Sequence, residues 1–153
     1  MQNPDPQAER NELFARLFAT TNHLQTIGDR HLDRVTTKQW FLIACVGRFE
    51  PEQPSLSDLV PVVGSSRQNI KQLALKLEQR GFLKINKDPR DNRILRLSQT
   101  DYCRNYWSER RSEDMDFLNR LFSGISIESI HLSLETLRAL DTNIQQLQGE
   151  IGT

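Results

Sequence analysis

Within the stretch Ser65 to Arg96, seven polar residues crowd one short run: Ser66, Arg67, Gln68, Asn69, Lys71, Gln72 and Lys76. Their chemistry suits the edges of a nucleic-acid groove. Arg pairs with guanine, Asn or Gln with adenine, and Lys and Ser with phosphates or base edges. Further on, Lys87, Asp88, Arg90, Asp91 and Arg93 crowd one polar turn, KDPRDNR. The charge is concentrated here. Ser65 to Arg96 holds nine of the chain's 20 Lys/Arg and three of its 20 Asp/Glu, net +6, leaving 11 basic and 17 acidic residues elsewhere, net −6. A neutral chain that gathers its positive charge on one module carries the electrostatic footprint of a nucleic-acid binder. The bland alternative is a solvated helix face.

These residues need elements to hold them. Ser65-x-x-Gln68 reads as a capping box that opens a helix. Ile70, Leu73, Ala74 and Leu77 supply its apolar face at helical spacing. Gly81 stops it, because glycine takes a left-handed cap freely. Phe82 to Asn86 and Ile94 to Ser98 alternate apolar and polar, as two half-buried strands do. Upstream, Ser57 starts a short helical segment and Gly64 marks a tight turn. Two short helices joined at a glycine are the helix-turn-helix pattern, and a charged hairpin after them makes it winged.

At this point the stretch LSDLVPVVGSSRQNIKQLALKLEQRGFLKINKDPRDNRILRLSQT resembles the MarR family of bacterial winged helix-turn-helix transcription regulators. Asp88-Pro89-Arg90-Asp91-Asn92-Arg93 fits the family's D-x-R-x-x-R wing pattern, and a looser likeness covers nearly the whole chain. The resemblance implies a mainly α fold with a small antiparallel β wing. It implies a single chain, 1–153, with a DNA-binding lobe at about 36–98 and a helical dimerisation region at about 7–32 and 99–150. It implies a cytoplasmic homodimer on a pseudo-palindromic operator in double-stranded DNA, most often a repressor, with an Asp-x-Arg pair whose arginine enters the minor groove. That pair falls on Asp91 and Arg93, with Arg90 as a second candidate. Two positions depart from the family. Pro61 stands inside a helix that is usually unbroken, so that helix is expected to be short or distorted. Asp101 stands where glycine is usual.

Around this module the pattern is helical. Met1 to Pro6, with two prolines, is expected to be frayed. About Gln7 to Leu32 forms a helix whose last turns Gly28 weakens. Thr36-x-x-Gln39 is a second capping box, opening a helix apolar nearly all round from Trp40 to Val46, which places it in the core. Ser98-x-x-Asp101 is a third, opening a helix from about Gln99 to Phe122, and Ser126 caps a last one to about Gln148. Leu13, Phe14, Leu17 and Phe18, with Ile130, Leu134, Leu137, Ile144 and Leu147, exceed what one small core needs. A second copy of the chain is the simplest partner, and an intramolecular bundle is the alternative.

Other chemistry is sparse. The nucleotide-binding glycine motifs and H-E-x-x-H are missing, so the chain reads as non-enzymatic, and no cofactor is implied. His23 and His31 lie about 12 Å apart along one helix, too far to share a metal directly. Two cysteines without C-x-x-C fit a reducing cytoplasm. Cys45 reads as a small buried hydrophobe. Cys103, beside Arg104, is a candidate for exposure and a redox role. No run approaches a membrane span, and no signal peptide is evident. The family places a small-molecule effector between its dimer helices and DNA-binding lobe, and His23, Ile27, His31, Trp40, Tyr106 and Trp107 are the candidates to line such a pocket. The rival readings are a winged helix that docks on an acidic protein, and a ligand-binding or enzymatic dimer without DNA binding.

Overall fold

The computed structural model describes residues 5–151. They form α1 (Pro6–His31), α2 (Thr37–Gly47), α3 (Leu56–Val63), α4 (Arg67–Gln79), β1 (Leu83–Lys87), β2 (Leu95–Gln99), α5 (Asp101–Leu121) and α6 (Ile127–Ile151). The mainly helical architecture with one two-stranded antiparallel wing is the one the residues imply. The chain divides into two compact units, Met1–Ser108 and Glu109–Thr153, with the boundary inside α5.

Each helix starts where a side chain can take an orphan backbone N–H, and several starts differ from the sequence reading. Of the start expected to fray, residues 1–4 lie outside the described ones. Asp5 caps α1 by accepting from the Gln7 N–H, and Pro6 takes the first helical position, where its missing N–H costs nothing. α1 runs through Gly28 without a break. A Cβ there would meet Thr37 Oγ1 at 2.4 Å, so glycine lets α1 and α2 approach closely. Asp29 closes the corner, accepting from the Thr37 N–H at 2.6 Å and from its hydroxyl at 2.8 Å. Both bonds hold the Asp29 carboxyl below its usual range.

The Thr36–Gln39 capping box is present. α2 buries Leu42, Ile43, Cys45 and Val46, but Trp40 and Phe41 stay about two-fifths exposed, so its apolar surface faces the core on one side only. α3 begins at Leu56, one residue earlier than Ser57 suggests, because Ser55 and Asp58 form the capping box. Pro61 sits inside this helix of eight residues. Its missing bond falls on the Ser57 carbonyl, and the helix ends soon after at Gly64 (φ 65°).

α4 is capped by Ser66, whose hydroxyl accepts from the Asn69 N–H at 3.2 Å, and not by the Ser65–Gln68 pair. Ser98 likewise opens no helix. It stays in the wing ladder opposite Lys84, and Thr100 accepts the Cys103 N–H at the start of α5. The strands run one residue later than the alternation suggests, with Leu83 paired to Gln99 and Lys87 to Leu95.

The core of the first unit lies beneath α4. Ile70, Ala74 and Leu77 turn inward against Leu42, Leu59, Phe82 and Leu97, all essentially inaccessible. Burying each of the Leu, Ile and Phe side chains among them contributes roughly 1.5–3 kcal/mol. This burial fixes which face of α4 is left outside. A further strand-like link joins the wing to the segment before α3: the Leu97 N–H donates to the Pro54 carbonyl at 3.0 Å, and Ser55 bridges Arg96.

Candidate nucleic-acid interface

With Ile70, Ala74 and Leu77 turned inward, the rest of α4 faces out. Arg67, Gln68, Asn69, Lys71, Gln72 and Lys76 are all exposed, as is the cap Ser66. The Ser66 oxygen is engaged at the cap, which leaves its O–H as the free function. Arg80, which also counts toward the positive charge, is used otherwise. It donates to the Arg34 carbonyl at 2.8 Å and fastens the end of α4 to the α1–α2 connection.

The wing comes to the same place. A concavity of about 390 Å³ is lined by Leu56, Arg67, Gln68, Lys71, Arg93 and Leu95. Three cations from two elements converge on it, and no acid lines it. The sequence could suggest that α4 and the wing act together, but not that Arg93 would share a cleft with Arg67 and Lys71.

At the wing tip Arg93 donates to Asp91 through Nε and Nη2, both at 3.0 Å, in a bidentate pair. Asp91 also accepts the Arg93 backbone N–H at 3.0 Å. These bonds from Arg93 lower the Asp91 carboxyl from its ordinary value, and the pair raises the Arg93 guanidinium. The Arg93 side chain is nevertheless 90% exposed. Lys87 and Arg90 are exposed beside it.

Asp88 is different. As a wing residue in contact with DNA it would have to be reachable, but it is buried, 6% exposed. It accepts the backbone N–H groups of Arg90 and Asp91 and pairs with Arg96. The Arg96 bond, then the Arg90 N–H, holds its carboxyl low. Its position corrects the surface role read from sequence. Arg96, absent from that reading, sits eight residues away, and only the hairpin brings it to Asp88. Alternation along β2 gives no sign of this.

The candidate effector residues are scattered in character. Tyr106 is core: it donates to Asp33 and meets the rings of Phe82 and Trp107 edge-on, at 5.2 and 4.6 Å. Trp107 is half-buried, as is His31, while His23, Ile27 and Trp40 are exposed. Cys103 is buried, not exposed, and burial pushes its thiol up to about 11. Cys45 is buried as expected, and its thiol is raised for the same reason. Among the described residues no cluster of His, Cys, Asp and Glu has the makings of a metal site. Of the apolar candidates at the two ends, Leu13, Phe14, Phe18, Leu134, Leu137, Ile144 and Leu147 are exposed, and Leu17 and Ile130 are half-buried.

This arrangement recurs in solved structures. A MarR/EmrR family transcriptional regulator from Acinetobacter sp. ADP1 superposes with a TM-score of 0.76 at 13% identity, covering 90% of this chain and 97% of its own. Bordetella bronchiseptica BpsR, described with regulation of its DNA binding by 6-hydroxynicotinic acid, matches with a TM-score of 0.70 at 19% identity, over 84% of this chain and 98% of its own. The chain has the MarR-family fold. In sequence, the transcriptional activatory protein BadR of Rhodopseudomonas palustris is 26% identical over 141 residues, which is 90% of this chain and 81% of BadR. No protein-family model matches the chain. Within the MarR-type fold, α4 is the second helix of the helix-turn-helix and β1–β2 is the wing. Among the described residues no helix is long and apolar enough to cross a membrane.

Proposed function

We propose that this chain is a non-enzymatic, DNA-binding transcription regulator. It reads double-stranded DNA with α4 in the major groove and Arg93 in the adjacent minor groove. One observation carries the reading: Arg67, Gln68, Lys71 and Arg93, from two separate elements, line one acid-free cleft beside an exposed row of Asn69, Gln72 and Lys76. Cations with planar amides suit a duplex better than an acidic protein surface, because the amides match adenine edges and the arginines match guanine and phosphate. That the BadR sequence and the BpsR structure belong to regulators supports the same reading.

The finer reading has the chain act in the cytoplasm as a homodimer on a pseudo-palindromic operator. The exposed apolar residues of α1 and α6 support a second copy as partner. Occlusion of a promoter, hence repression, is the reading we adopt for the outcome, although BadR is named as an activator. A small-molecule effector that releases DNA is proposed with it. The ligand named for BpsR supports this, and exposed Ile27, His23 and Trp40 with half-buried His31 and Trp107 are the side chains offered.

Selection of bound sequences from a pool of random duplexes tests the proposal. The expected result is a recovered site with two related halves about one helical turn apart. Recovery of no enriched sequence, together with binding unaffected by salt, refutes it.

A further inference from the structure

A buried carboxylate at the root of a phosphate-gripping wing needs a reason, because it repels the ligand and is costly to desolvate. Asp88 accepts the Arg90 N–H at 2.8 Å and the Asp91 N–H at 3.3 Å through Oδ1, while Oδ2 takes Arg96 Nε. Arg96 reaches further. Its Nη1 donates to the Gln53 carbonyl at 2.7 Å, in the segment that leads into α3. Its backbone pairs with Asn86 in the ladder and bridges Ser55, the cap of α3. The connections form a continuous line. Gln53 is tied to Arg96, Arg96 to Asp88, Asp88 to the backbone of Asp91, and the Asp91 side chain to Arg93. At one end is the helix-turn-helix, and at the other the arginine that faces the cleft with Arg67.

We propose that Asp88 and Arg96 are positioning residues for Arg93, which fix where the minor-groove arginine stands relative to the recognition helix and so set the preference for flanking sequence. This rests on the DNA-binding reading above. The physical basis is preorganisation: a side chain held before the ligand arrives loses less freedom on binding. A narrow A/T-rich minor groove concentrates negative potential, so an arginine delivered to the right depth favours such flanks without reading individual bases. An arginine on a loose turn still adds charge but loses that register.

The test uses the full chain and two duplexes that share the selected core site, one with A/T-rich and one with G/C-rich flanks. Asp88→Ala, Arg93→Ala and the double variant are compared. Wild type is expected to favour the A/T-flanked duplex. Asp88→Ala should lose that preference and about tenfold in affinity, although it removes a negative charge. The double variant should bind within about twofold of Arg93→Ala alone, because both changes act through one group. Asp88→Asn keeps an oxygen for the Arg90 and Asp91 N–H groups and should fall between. Amide exchange at Arg90 and Asp91 in the free protein should quicken in Asp88→Ala and stay slower in Asp88→Asn. If Asp88→Ala does not fold, Arg96→Lys serves instead, since a single ammonium nitrogen does not reproduce the planar fork whose Nε and Nη1 span Asp88 and the Gln53 carbonyl. A wild-type chain that binds no duplex overturns the DNA-binding reading and this inference with it. A wild-type chain that binds, with losses from positions 88 and 93 that multiply in full or with flank preference intact in Asp88→Ala, overturns this inference alone.

Discussion

Arg93 spends Nε and Nη2 on Asp91 and still presents nearly all of its side chain to solvent. A guanidinium carries five N–H donors, so the pair leaves others for a ligand while it fixes the plane of the fork. Charge counting and geometry therefore disagree about Asp91. Counting says that Asp91→Ala removes repulsion from phosphate and tightens binding. The geometry says that it frees Arg93 to wander and weakens binding. We expect weaker binding, by about tenfold, with Arg93→Ala at least as costly. Equilibrium titration of the selected duplex at fixed salt decides the sign, and tighter binding by Asp91→Ala sinks the positioning argument. On α4, Gln68→Ala should cost about 1–3 kcal/mol on the selected site and much less on random DNA, as a base reader does. Lys76→Ala should weaken both alike, as a phosphate contact does. The cysteines make a simpler case. Both are buried, with thiols pushed up, which holds down the reactive thiolate, and we expect both to react slowly with a thiol reagent in the folded chain.

At the scale of elements, the helix-turn-helix and the wing were legible because period and punctuation agree. An apolar face at helical spacing, Gly64 and Gly81 at positive φ and two alternating runs left little choice. Caps were less legible. Ser65 and Ser66 are both good caps, and only the tertiary fit of Ile70 and Ala74 selects Ser66. Ser98 had the capping-box spacing, but its backbone is held by the ladder to Lys84. Tertiary pairing outweighs a local pattern there. The same reason hid Asp88: nothing in a run of charges says which acid the hairpin will fold inward. The cap assignment is testable. Ser66→Ala should cost about 1 kcal/mol and Ser65→Ala a few tenths at most, read from urea melts. Equal costs would contradict the observed start. Acid provides a second check. Bonds from Thr37 and Ser55 respectively hold the Asp29 and Asp58 carboxyls below the ordinary carboxylate range in the folded chain. The stability they contribute is present above the unfolded value and is lost as pH falls through the folded one. Melting temperature should therefore drop below about pH 4, and Asp58→Asn should make that drop shallower.

For the whole molecule the DNA-binding reading we propose raises the question of how a neutral chain would bind a polyanion specifically. Net charge would not help it, so on that reading affinity comes from the local +6 module, and a single module would cover one half-site. If a subunit neutralises about six phosphates, log affinity against log salt falls with a slope of about −5, and two joined subunits give about twice that. Joining them also makes the second contact intramolecular, which raises avidity without any new protein–DNA bond. The apolar residues left exposed on α6, Leu134, Leu137, Ile144 and Leu147, are the means we propose for that joining. None of them belongs to the buried core of the single chain, so replacing them leaves that core intact. The triple variant Leu137→Glu, Ile144→Glu, Leu147→Glu should therefore keep its helicity by circular dichroism yet run at the monomer mass in light scattering. Its affinity for the two-half-site duplex should fall by about 10²-fold or more, toward its affinity for an isolated half-site. Its salt slope should be about half that of wild type. A variant that remains a dimer would place the interface elsewhere. A variant that is monomeric but keeps full affinity and the full slope would show that one subunit covers the whole site, and that the second copy has no part in binding DNA.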